Sequence, residues 1–196
     1  MTKPFSQACE NNKAPILSEL EYYLSSVPDV LEVGSGTGQH SVYFAEHLPH
    51  LHWYTSDLAM HHQGILQWHQ EAQLANLHPP LVLDLNDSWP VQTVSAIYTA
   101  NTLHIVSLPL VKRFFEGVKE HLAAEGVLCI YGPFKYQGRF TSESNQRFDA
   151  FLKEQDPQSG IRDFEMIQQL AQQAGLSLEQ DIAMPANNQL LIFKRQ

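Results

Sequence analysis

The stretch VLEVGSGTGQH holds three glycines at alternate positions and is the strongest chemical signal in the sequence. Gly34, Gly36 and Gly38 let a ligand approach bare backbone, because glycine has no side chain and tolerates unusual dihedral angles. A phosphate-binding P-loop ends in Gly-Lys-Ser/Thr, and no lysine follows Gly38, so that loop is excluded. A dinucleotide loop, G-x-G-x-x-G, needs its third glycine one residue later, which weakens this alternative without removing it.

Glu32 precedes the first glycine by two residues, near the predicted end of the first strand. A carboxylate at this place repels a pyrophosphate, which needs the positive field of the following helix N-terminus. The same carboxylate favours a nucleoside conjugate that carries an ammonium or sulfonium group. The pattern therefore predicts S-adenosylmethionine as the ligand, with a solvent-facing Glu32 as the alternative.

Two more acids follow predicted strands where a nucleoside needs them. Asp57 lies 23 residues beyond the first glycine, close to the roughly 20-residue offset of the ribose-binding carboxylate in dinucleotide folds. Asp84 could accept from the adenine amino group, between apolar walls of Leu58, Met60 and Leu85. Each Asp taken alone is more often a helix cap or turn former than a ligand-binding residue. Three acids at three consecutive strand ends favour the nucleoside.

The segment TANTLHIV follows the fourth predicted strand and supplies the best candidate for a general base. His104 is that candidate, because imidazole titrates near neutral pH. The alternative is a histidine that packs locally at a helix entry. Asn101 could contact cofactor or substrate through its amide. The segment lacks the Asn/Asp-Pro-Pro-Tyr/Phe motif of adenine and glutamine N-methyltransferases, so an enzyme of that kind is disfavoured.

The segment YGPFKYQGRF and the helix after it predict a substrate side. Tyr131 and Phe134 could form an apolar lid or cradle a cationic or planar substrate, or they could cover the sheet edge. Tyr136 in the same loop is the second catalytic candidate. Asn145 and Asp149 are four residues apart, so they share one helix face and could point into the site.

Strand-like and helix-like segments alternate along the chain, which predicts βα units on a doubly wound, mostly parallel sheet of seven strands. The last two strands are separated only by PANN, so they should form an antiparallel hairpin. The predicted strands span 29–33, 51–56, 80–85, 94–100, 126–132, 176–184 and 189–195. The predicted helices span about 13–25, 38–48, 60–76, 107–123, 141–155 and 162–174. In such a sheet a ligand binds outside the carboxyl ends of the strands.

Composition limits the partners. The net charge of −9 argues against nucleic acid, because binding a phosphate backbone needs clustered Lys and Arg. No apolar run is long enough to cross a membrane, and the N-terminus lacks the apolar region of a secretory signal. Two cysteines give no disulfide framework, so a cytoplasmic location is expected. The histidines show no metal-ligand spacing, so no metal is predicted.

These motifs together resemble the class I S-adenosylmethionine-dependent methyltransferases. The stretches NNKAPIL, SGTGQHSVYFA, ANTLHIV, YGPFKYQGRFTSESNQRFDAFL and GIRDFE resemble, more narrowly, a branch filed as a domain of unknown function and as methyltransferase-like proteins. The resemblance covers nearly the whole chain. It implies a Rossmann-like sheet of order 3-2-1-4-5-7-6, cofactor contacts by Glu32, Gly34, Gly36, Asp57 and Asp84, and a substrate side formed by the later motifs.

We therefore expect one domain, residues 1–196, in which 1–28 cover the cofactor and 132–162 form a substrate-side insertion. Its expected activity is methyl transfer from S-adenosylmethionine to a small-molecule acceptor. The alternatives are a protein side-chain methyltransferase and a module that binds the cofactor without transferring its methyl group. The oligomeric state stays open. The full set of expected cofactor contacts is Asn12, Glu32, Gly34, Ser35, Gly36, Gly38, Asp57, Leu58, Asp84, Leu85 and Asn101.

Overall fold

The computed structural model describes residues 3–196, which form a main sheet, a small second sheet and the helices that cover them. The strands are β1 (Asp29–Val33), β2 (His52–Asp57), β3 (Leu77–Val82), β4 (Val94–Ala100), β5 (Leu122–Gly132), β6 (Phe134–Tyr136), β7 (Arg139–Phe140), β8 (Arg162–Asp163), β9 (Leu176–Met184) and β10 (Asn188–Arg195). The helices are α1 (Gln7–Tyr23), α2 (Gln39–His47), α3 (His62–Ala72), α4 (Leu108–His121), α5 (Glu143–Gln155) and α6 (Phe164–Gln173).

The main sheet has the strand order β3-β2-β1-β4-β5-β10-β9. Strands β1 to β5 are parallel to their neighbours among themselves, whereas β10 is antiparallel to both β5 and β9. The predicted doubly wound sheet with a terminal antiparallel hairpin is therefore confirmed. Because β2 and β4 flank β1 on opposite sides, the chain winds both ways from β1 and leaves a crevice at the carboxyl ends of these strands.

The central strands are buried on both faces, as expected for parallel strands between two helical layers. On one face Leu31 and Val33 of β1 pack in a core with α4 and α6. On the other face Val30 packs in a second core with α1 and α2. The same alternation directs Glu32 of β1 toward the second face, beside Trp53 of β2.

The third strand lies three residues earlier than predicted, at Leu77–Val82 rather than 80–85. Pro79 and Pro80 stand inside it, although proline cannot donate a hydrogen bond to a sheet. The strand tolerates them because it is at the sheet edge and pairs with β2 alone. As a consequence Asp84 lies two residues past the strand, in the following loop.

Other differences concern the ends of helices and a small added sheet. Helix α1 begins at Gln7, earlier than predicted, because the Ser6 hydroxyl caps it by accepting from the Cys9 amide at 3.3 Å. The predicted helix over 60–76 is shorter and follows a 3₁₀ turn at Ala59–His61. Residues 132–162 contain a hairpin, β6 and β7, which joins β8 in a second sheet that the sequence did not predict.

None of the helices within residues 3–196 combines the length and the apolar character that a membrane crossing requires.

Candidate functional site

A cavity of about 900 Å³ opens at the carboxyl ends of the main-sheet strands, across the boundary between β1 and β4. We call its two sides the cofactor half, at the ends of β1, β2 and β3, and the acceptor half, at the ends of β4 and β5 with α5 and the tip of the β9–β10 hairpin. Most of the predicted site residues line it. They are Asn12, Glu32, Gly34, Ser35, Gly36, Asp57, Leu58, Asp84, Leu85, Asn101, His104, Tyr131 and Asn145.

The glycine loop exposes its backbone to the cofactor half. Gly34 and Gly36 have φ angles of 78° and 58°, in the left-handed region that glycine adopts without strain. A Cβ on Gly34 would lie 2.8 Å from the Thr102 hydroxyl oxygen, so the close approach of the β4 loop requires glycine there. At Gly36 an added Cβ would meet no atom of residues 3–196 within 4 Å, because that side faces the cavity.

Gly38 has a different role from the one predicted. It is the N-cap of α2 with a φ angle of 87°, and an added Cβ would lie 3.1 Å from the Ile65 Cα. Gly38 is not among the described residues that line the cavity. Its glycine therefore serves the close packing of α2 against α3, and the structure does not bring Gly38 to the cavity wall, where a cofactor contact was predicted.

Glu32 is a buried carboxyl group in the wall of the cavity, with 2% of its surface exposed, so the solvent-facing alternative is wrong. The Trp53 indole N–H donates to Glu32 Oε2 at 2.9 Å. Burial, opposed in part by this hydrogen bond, raises the pKa of Glu32 to about 7. Among residues 3–196 no lysine or arginine pairs with Glu32. A cation that entered the cavity would therefore meet an uncompensated acid.

Asp57 is held rigidly at the end of β2. Its Oδ2 accepts from the Gly36 amide at 2.7 Å, while Oδ1 accepts from the Leu58 amide at 2.7 Å and lies 2.9 Å from His61 Nδ1. Oδ1 therefore has two partners, whereas Oδ2 keeps a second lone pair for a further donor. Asp84 also lines the cavity, and its Oδ1 accepts from the Asn86 amide at 2.9 Å. Both acids are thus oriented by backbone donors.

A buried histidine that the sequence did not single out also lines the cofactor half. His40 Nε2 lies 2.6 Å from Asn12 Oδ1, and its Nδ1 lies 3.3 Å from the Tyr98 hydroxyl. Because Asn12 Oδ1 can only accept, Nε2 carries the hydrogen and Nδ1 accepts from Tyr98. Burial lowers the pKa of His40 to about 4, so the ring is neutral and fixes the Asn12 amide. Its position two residues after Gly38 was the one available signal.

Residues 3–12, which we call the N-terminal strap, cover the cofactor half. The side chain of Gln39 binds both backbone polar groups of Ser6 in the strap. Its Oε1 accepts from the Ser6 amide at 2.5 Å, and its Nε2 donates to the Ser6 carbonyl at 3.3 Å. Nearer the N-terminus, the Trp68 indole N–H donates to the Pro4 carbonyl at 2.8 Å, and the Lys3 ammonium lies 3.7 Å from the centre of the Trp68 ring. The described part of the predicted cover segment, from Lys3 onward, is thus anchored on α2 and α3.

The acceptor half centres on His104, which is 4% exposed. Its ring meets Phe148 edge to face, with centroids 5.3 Å apart. Burial, with a smaller effect of the Arg162 charge, lowers the pKa of His104 to about 4. Within residues 3–196 no hydrogen-bond partner contacts either ring nitrogen, so this neutral imidazole keeps its acceptor nitrogen for a group in the cavity.

The loop that carries His104 is held by the chain at 159–162, which we call the clamp. Four consecutive carbonyls of the loop, from Leu103 to Val106, each accept from it. Arg162 donates through Nε to Leu103 at 2.9 Å and through Nη2 to Val106 at 2.5 Å. The Gly160 amide donates to the His104 carbonyl at 2.9 Å, and the Ser159 hydroxyl donates to the Ile105 carbonyl at 2.6 Å.

Three residues predicted for the substrate side lie outside the described lining of the cavity. Phe134 is 2% exposed and packs in the core with α4 and α6. Tyr136 donates to Asp181 at 2.7 Å and stacks on Phe164, so its predicted catalytic role is not compatible with its position. Asp149 accepts from the Ile161 amide at 2.7 Å and from Lys153 at 2.7 Å, which makes it a support of the clamp.

No group of three or more His, Cys, Asp or Glu side chains in the described chain has the arrangement of a metal site.

The strand order, the glycine loop and the crevice beside it define the class I methyltransferase fold, and comparison with solved structures agrees. An O-methyltransferase family protein from Burkholderia thailandensis matches with a TM-score of 0.83 at 14% identity, over 94% of this chain and 56% of that one. Human N-acetylserotonin methyltransferase, solved with S-adenosylmethionine, matches with a TM-score of 0.82 at 14% identity, over 96% and 53%. The O-methyltransferase NcsB1 from neocarzinostatin biosynthesis, solved with S-adenosylmethionine and 2-hydroxy-5-methyl naphthoic acid, matches with a TM-score of 0.76 at 16% identity, over 96% and 55%.

At such identities the likeness concerns the fold, and the chain spans only a little more than half of each of these proteins. The chain itself belongs to the family described as "Protein of unknown function (DUF938)", whose model matches residues 3–195.

Proposed function

We propose that this protein transfers a methyl group from S-adenosylmethionine to a small-molecule acceptor. The observation that carries the proposal is the buried carboxyl group of Glu32, which lies beside an open glycine loop and has no cationic partner among residues 3–196. A cofactor that brings an ammonium and a sulfonium group supplies that partner. A phosphorylated cofactor would instead add negative charge next to it.

The residues of the cofactor half fit S-adenosylmethionine. Gly36 leaves room for its amino acid end, in the same wall as Gly34 and Glu32. Asp57 is pre-oriented to accept from ribose hydroxyl groups, and Asp84 is available to the adenine amino group between Leu58 and Leu85. The solved structures of fold neighbours named with this cofactor support the assignment.

Methyl transfer places modest demands on the protein. The cofactor supplies an activated methyl group on sulfur, and the protein aligns the acceptor in line with it and keeps water away. In the acceptor half, neutral His104 takes up the proton of a methyl acceptor whose reacting group starts protonated, such as a hydroxyl group. The unpartnered ring nitrogens of His104 within the described chain favour this catalytic role over a module that only binds the cofactor.

A small molecule suits the site better than a protein side chain. The strap covers the cofactor half and α5 with the hairpin tip bounds the acceptor half, so the cavity of about 900 Å³ offers the volume of a cofactor and a small acceptor. Several fold neighbours are named after small molecules, such as mitomycin 7-O-methyltransferase and N-acetylserotonin methyltransferase. The first of these names also gives oxygen as the methylated atom.

The experiment that tests this function measures cofactor binding and methyl transfer separately. Calorimetry with S-adenosylhomocysteine, NAD and ATP should detect binding of the first compound only, and Glu32→Ala should abolish it. A metabolite library should then yield radioactive product from methyl-labelled cofactor. Tight binding of NAD or ATP without binding of S-adenosylhomocysteine would overturn the proposal.

A further inference from the structure

We propose that the acceptor is an uncharged molecule with an apolar body that presents a hydroxyl group to His104, beside a pair of asparagine carbonyl oxygens. This inference rests on the proposed function and names the substrate class of the same site. It is carried by the distribution of charge and of hydrogen-bonding atoms in the two halves of the cavity.

All acidic side chains in the described lining of the cavity lie in the cofactor half: Glu32, Asp57 and Asp84. The lining of the acceptor half contains no Lys, Arg, Asp or Glu among the described residues. Two acids of α5 stand next to lining residues in sequence: Asp149 is directed to the Ile161 amide and Lys153, and Glu143 is exposed at the start of the helix. An ionic group of the acceptor would therefore find no counter-charge in this half, and its burial would be costly.

Two amides of the acceptor half, those of Asn145 and Asn188, have their nitrogen atoms directed to neighbouring oxygens. Asn145 donates both hydrogens of its Nδ2, one to the Thr141 hydroxyl oxygen at 3.0 Å and one to the Asn187 carbonyl at 3.0 Å. Asn188 donates its Nδ2 to the Pro185 carbonyl at 3.2 Å. Backbone carbonyls can only accept, so these contacts identify Nδ2 in both amide groups and make each Oδ1 an acceptor in the cavity lining, with the side chain of Asn188 also bonded to the Tyr131 hydroxyl group.

His104 adds a third acceptor to the two asparagines. Burial keeps its imidazole neutral, so one ring nitrogen carries a lone pair. A carboxylate or phosphate on the substrate would face acceptor atoms with no cation beside them. A substrate ammonium would lie near the positive sulfonium of the cofactor without a carboxylate in the same half. A neutral hydroxyl group donates its one hydrogen to His104 at no electrostatic cost and leaves the asparagine oxygens to water or to further neutral donors of the acceptor.

The remaining wall of the acceptor half is apolar. Ile105, Val106 and Leu110 follow β4, while Phe148 of α5 contacts the His104 ring from the other side. These side chains bury an apolar body, which stabilises the complex in proportion to the apolar area removed from water. The hydroxyl group provides orientation and the apolar body provides most of the binding free energy.

In the methylation of such an acceptor, the cofactor sulfur and His104 account for the electron pair and the proton that are released. A bond forms between the acceptor oxygen and the methyl carbon while the carbon–sulfur bond breaks. The electron pair of the broken bond returns to sulfur, which changes from a sulfonium to a neutral thioether. The hydroxyl proton moves to the free ring nitrogen of His104 and leaves to solvent after the product departs.

The test is a binding screen on the full-length protein saturated with S-adenosylhomocysteine. The library contains hydroxyarenes in matched sets: 2-naphthol, 6-hydroxy-2-naphthoic acid and 6-(aminomethyl)-2-naphthol form one such set. Within a set we expect the uncharged member to bind about tenfold or more tightly than either charged member, and to be the one that is methylated. A preference for the anionic or the cationic members, or no binding in any class, overturns the inference.

A charge-introducing variant makes the screen more stringent. Ile105 lines the acceptor half and is 58% exposed, so Ile105→Lys should fold and place a cation at its rim. We expect this variant to improve the relative binding of the naphthoic acid member about tenfold, whereas Ile105→Gln should leave the charge ranking unchanged. Binding of S-adenosylhomocysteine to the wild-type protein is measured first, because it separates the two claims. If the protein does not bind this compound, the proposed function is refuted. If it does, but a charged member of a set binds more tightly than the uncharged one, only this inference is refuted.

Discussion

At the scale of single residues, Glu32 should couple cofactor binding to pH. Its pKa is about 7 in the free protein because burial outweighs the Trp53 hydrogen bond, and the Asp57 carboxylate raises it further. A bound cation favours the ionised form, so the pKa falls in the complex and binding below pH 7 releases a proton. Affinity for S-adenosylmethionine should therefore decrease as the pH falls, by up to about tenfold per pH unit. Calorimetry in buffers of different ionisation enthalpy measures the proton release.

Glu32→Gln keeps the size and the Trp53 contact but cannot ionise, so its binding should be weaker and nearly independent of pH. Glu116→Gln is the matched control, because Glu116 is exposed on α4 and pairs with Arg113 at the surface. Equal pH dependence in the wild type and in Glu32→Gln would show that another group binds the cation.

His104 should affect turnover and not cofactor affinity. Removing a general base typically lowers the rate by about 10²–10⁴-fold, so His104→Asn should lose that much in kcat for a hydroxyl acceptor. Because its pKa is about 4, the wild-type imidazole stays neutral across the physiological range, and kcat/KM should fall only as the pH approaches that value. Stopped assays across pH with an acceptor from the screen provide the measurement.

His47→Asn serves as the control for a histidine that lies outside the cavity lining on α2 and bonds only the Tyr43 carbonyl. A loss of turnover centred near pH 6.5, the ordinary value for histidine, would contradict the assigned state of His104. Unchanged turnover in His104→Asn would remove it as the base.

At the scale of elements, the clamp should position the His104 loop. Arg162 is 8% exposed and its guanidinium donates to three backbone carbonyls, those of Leu103, Val106 and Gln158. Arg162→Met leaves the Leu103 and Val106 carbonyls without this donor, whereas the Gln158 carbonyl still accepts from the Leu108 amide, and the loss should lower the free energy of unfolding by about 2–4 kcal/mol. Urea denaturation measures this loss. Removing the positive charge should also raise the pKa of His104, because that charge adds to the effect of burial.

The cofactor half gives this prediction its internal control. Arg162→Met should leave the Kd of S-adenosylhomocysteine nearly unchanged while kcat falls. Arg162→Lys should recover part of the stability, because its ammonium can donate to some of these carbonyls, but not all of it, because it reaches fewer of them than the guanidinium does. A parallel loss of cofactor affinity and turnover would indicate general unfolding and not a positioning role.

Elements also explain which parts of the molecule were predictable. The β1–α2 loop and the acids at strand ends could be predicted, because the alternation of apolar and polar residues and the spacing of glycines are patterns within a few residues of sequence. The clamp could not be predicted, because Arg162 and the Leu103 carbonyl that it binds are 59 residues apart and the bond involves backbone. The position of the Tyr136 side chain could not be predicted for a related reason. The β6–β7 hairpin directs it toward Asp181, and its place in the sequence does not determine which side of the hairpin it faces.

At the scale of the whole molecule, the cofactor half closes through contacts between distant parts of the chain. The strap contributes Ser6, Cys9 and Asn12 to the cavity wall, but its anchors are Gln39 on α2 and Trp68 on α3. A cofactor that leaves past the strap requires some of these contacts to open. The strength of the anchors should therefore govern the dissociation rate more than the association rate.

Trp68→Phe tests this coupling, because it deletes the indole N–H that binds the Pro4 carbonyl and keeps an aromatic ring for Lys3. A hydrogen bond of this kind contributes about 1 kcal/mol, so S-adenosylhomocysteine should dissociate about three to tenfold faster, as measured by stopped-flow displacement. Tyr22→Phe is the control, since Tyr22 is 74% exposed near the other end of α1. If Trp68→Phe and wild type release the ligand at the same rate, the strap is a static wall and the cofactor leaves through the acceptor half.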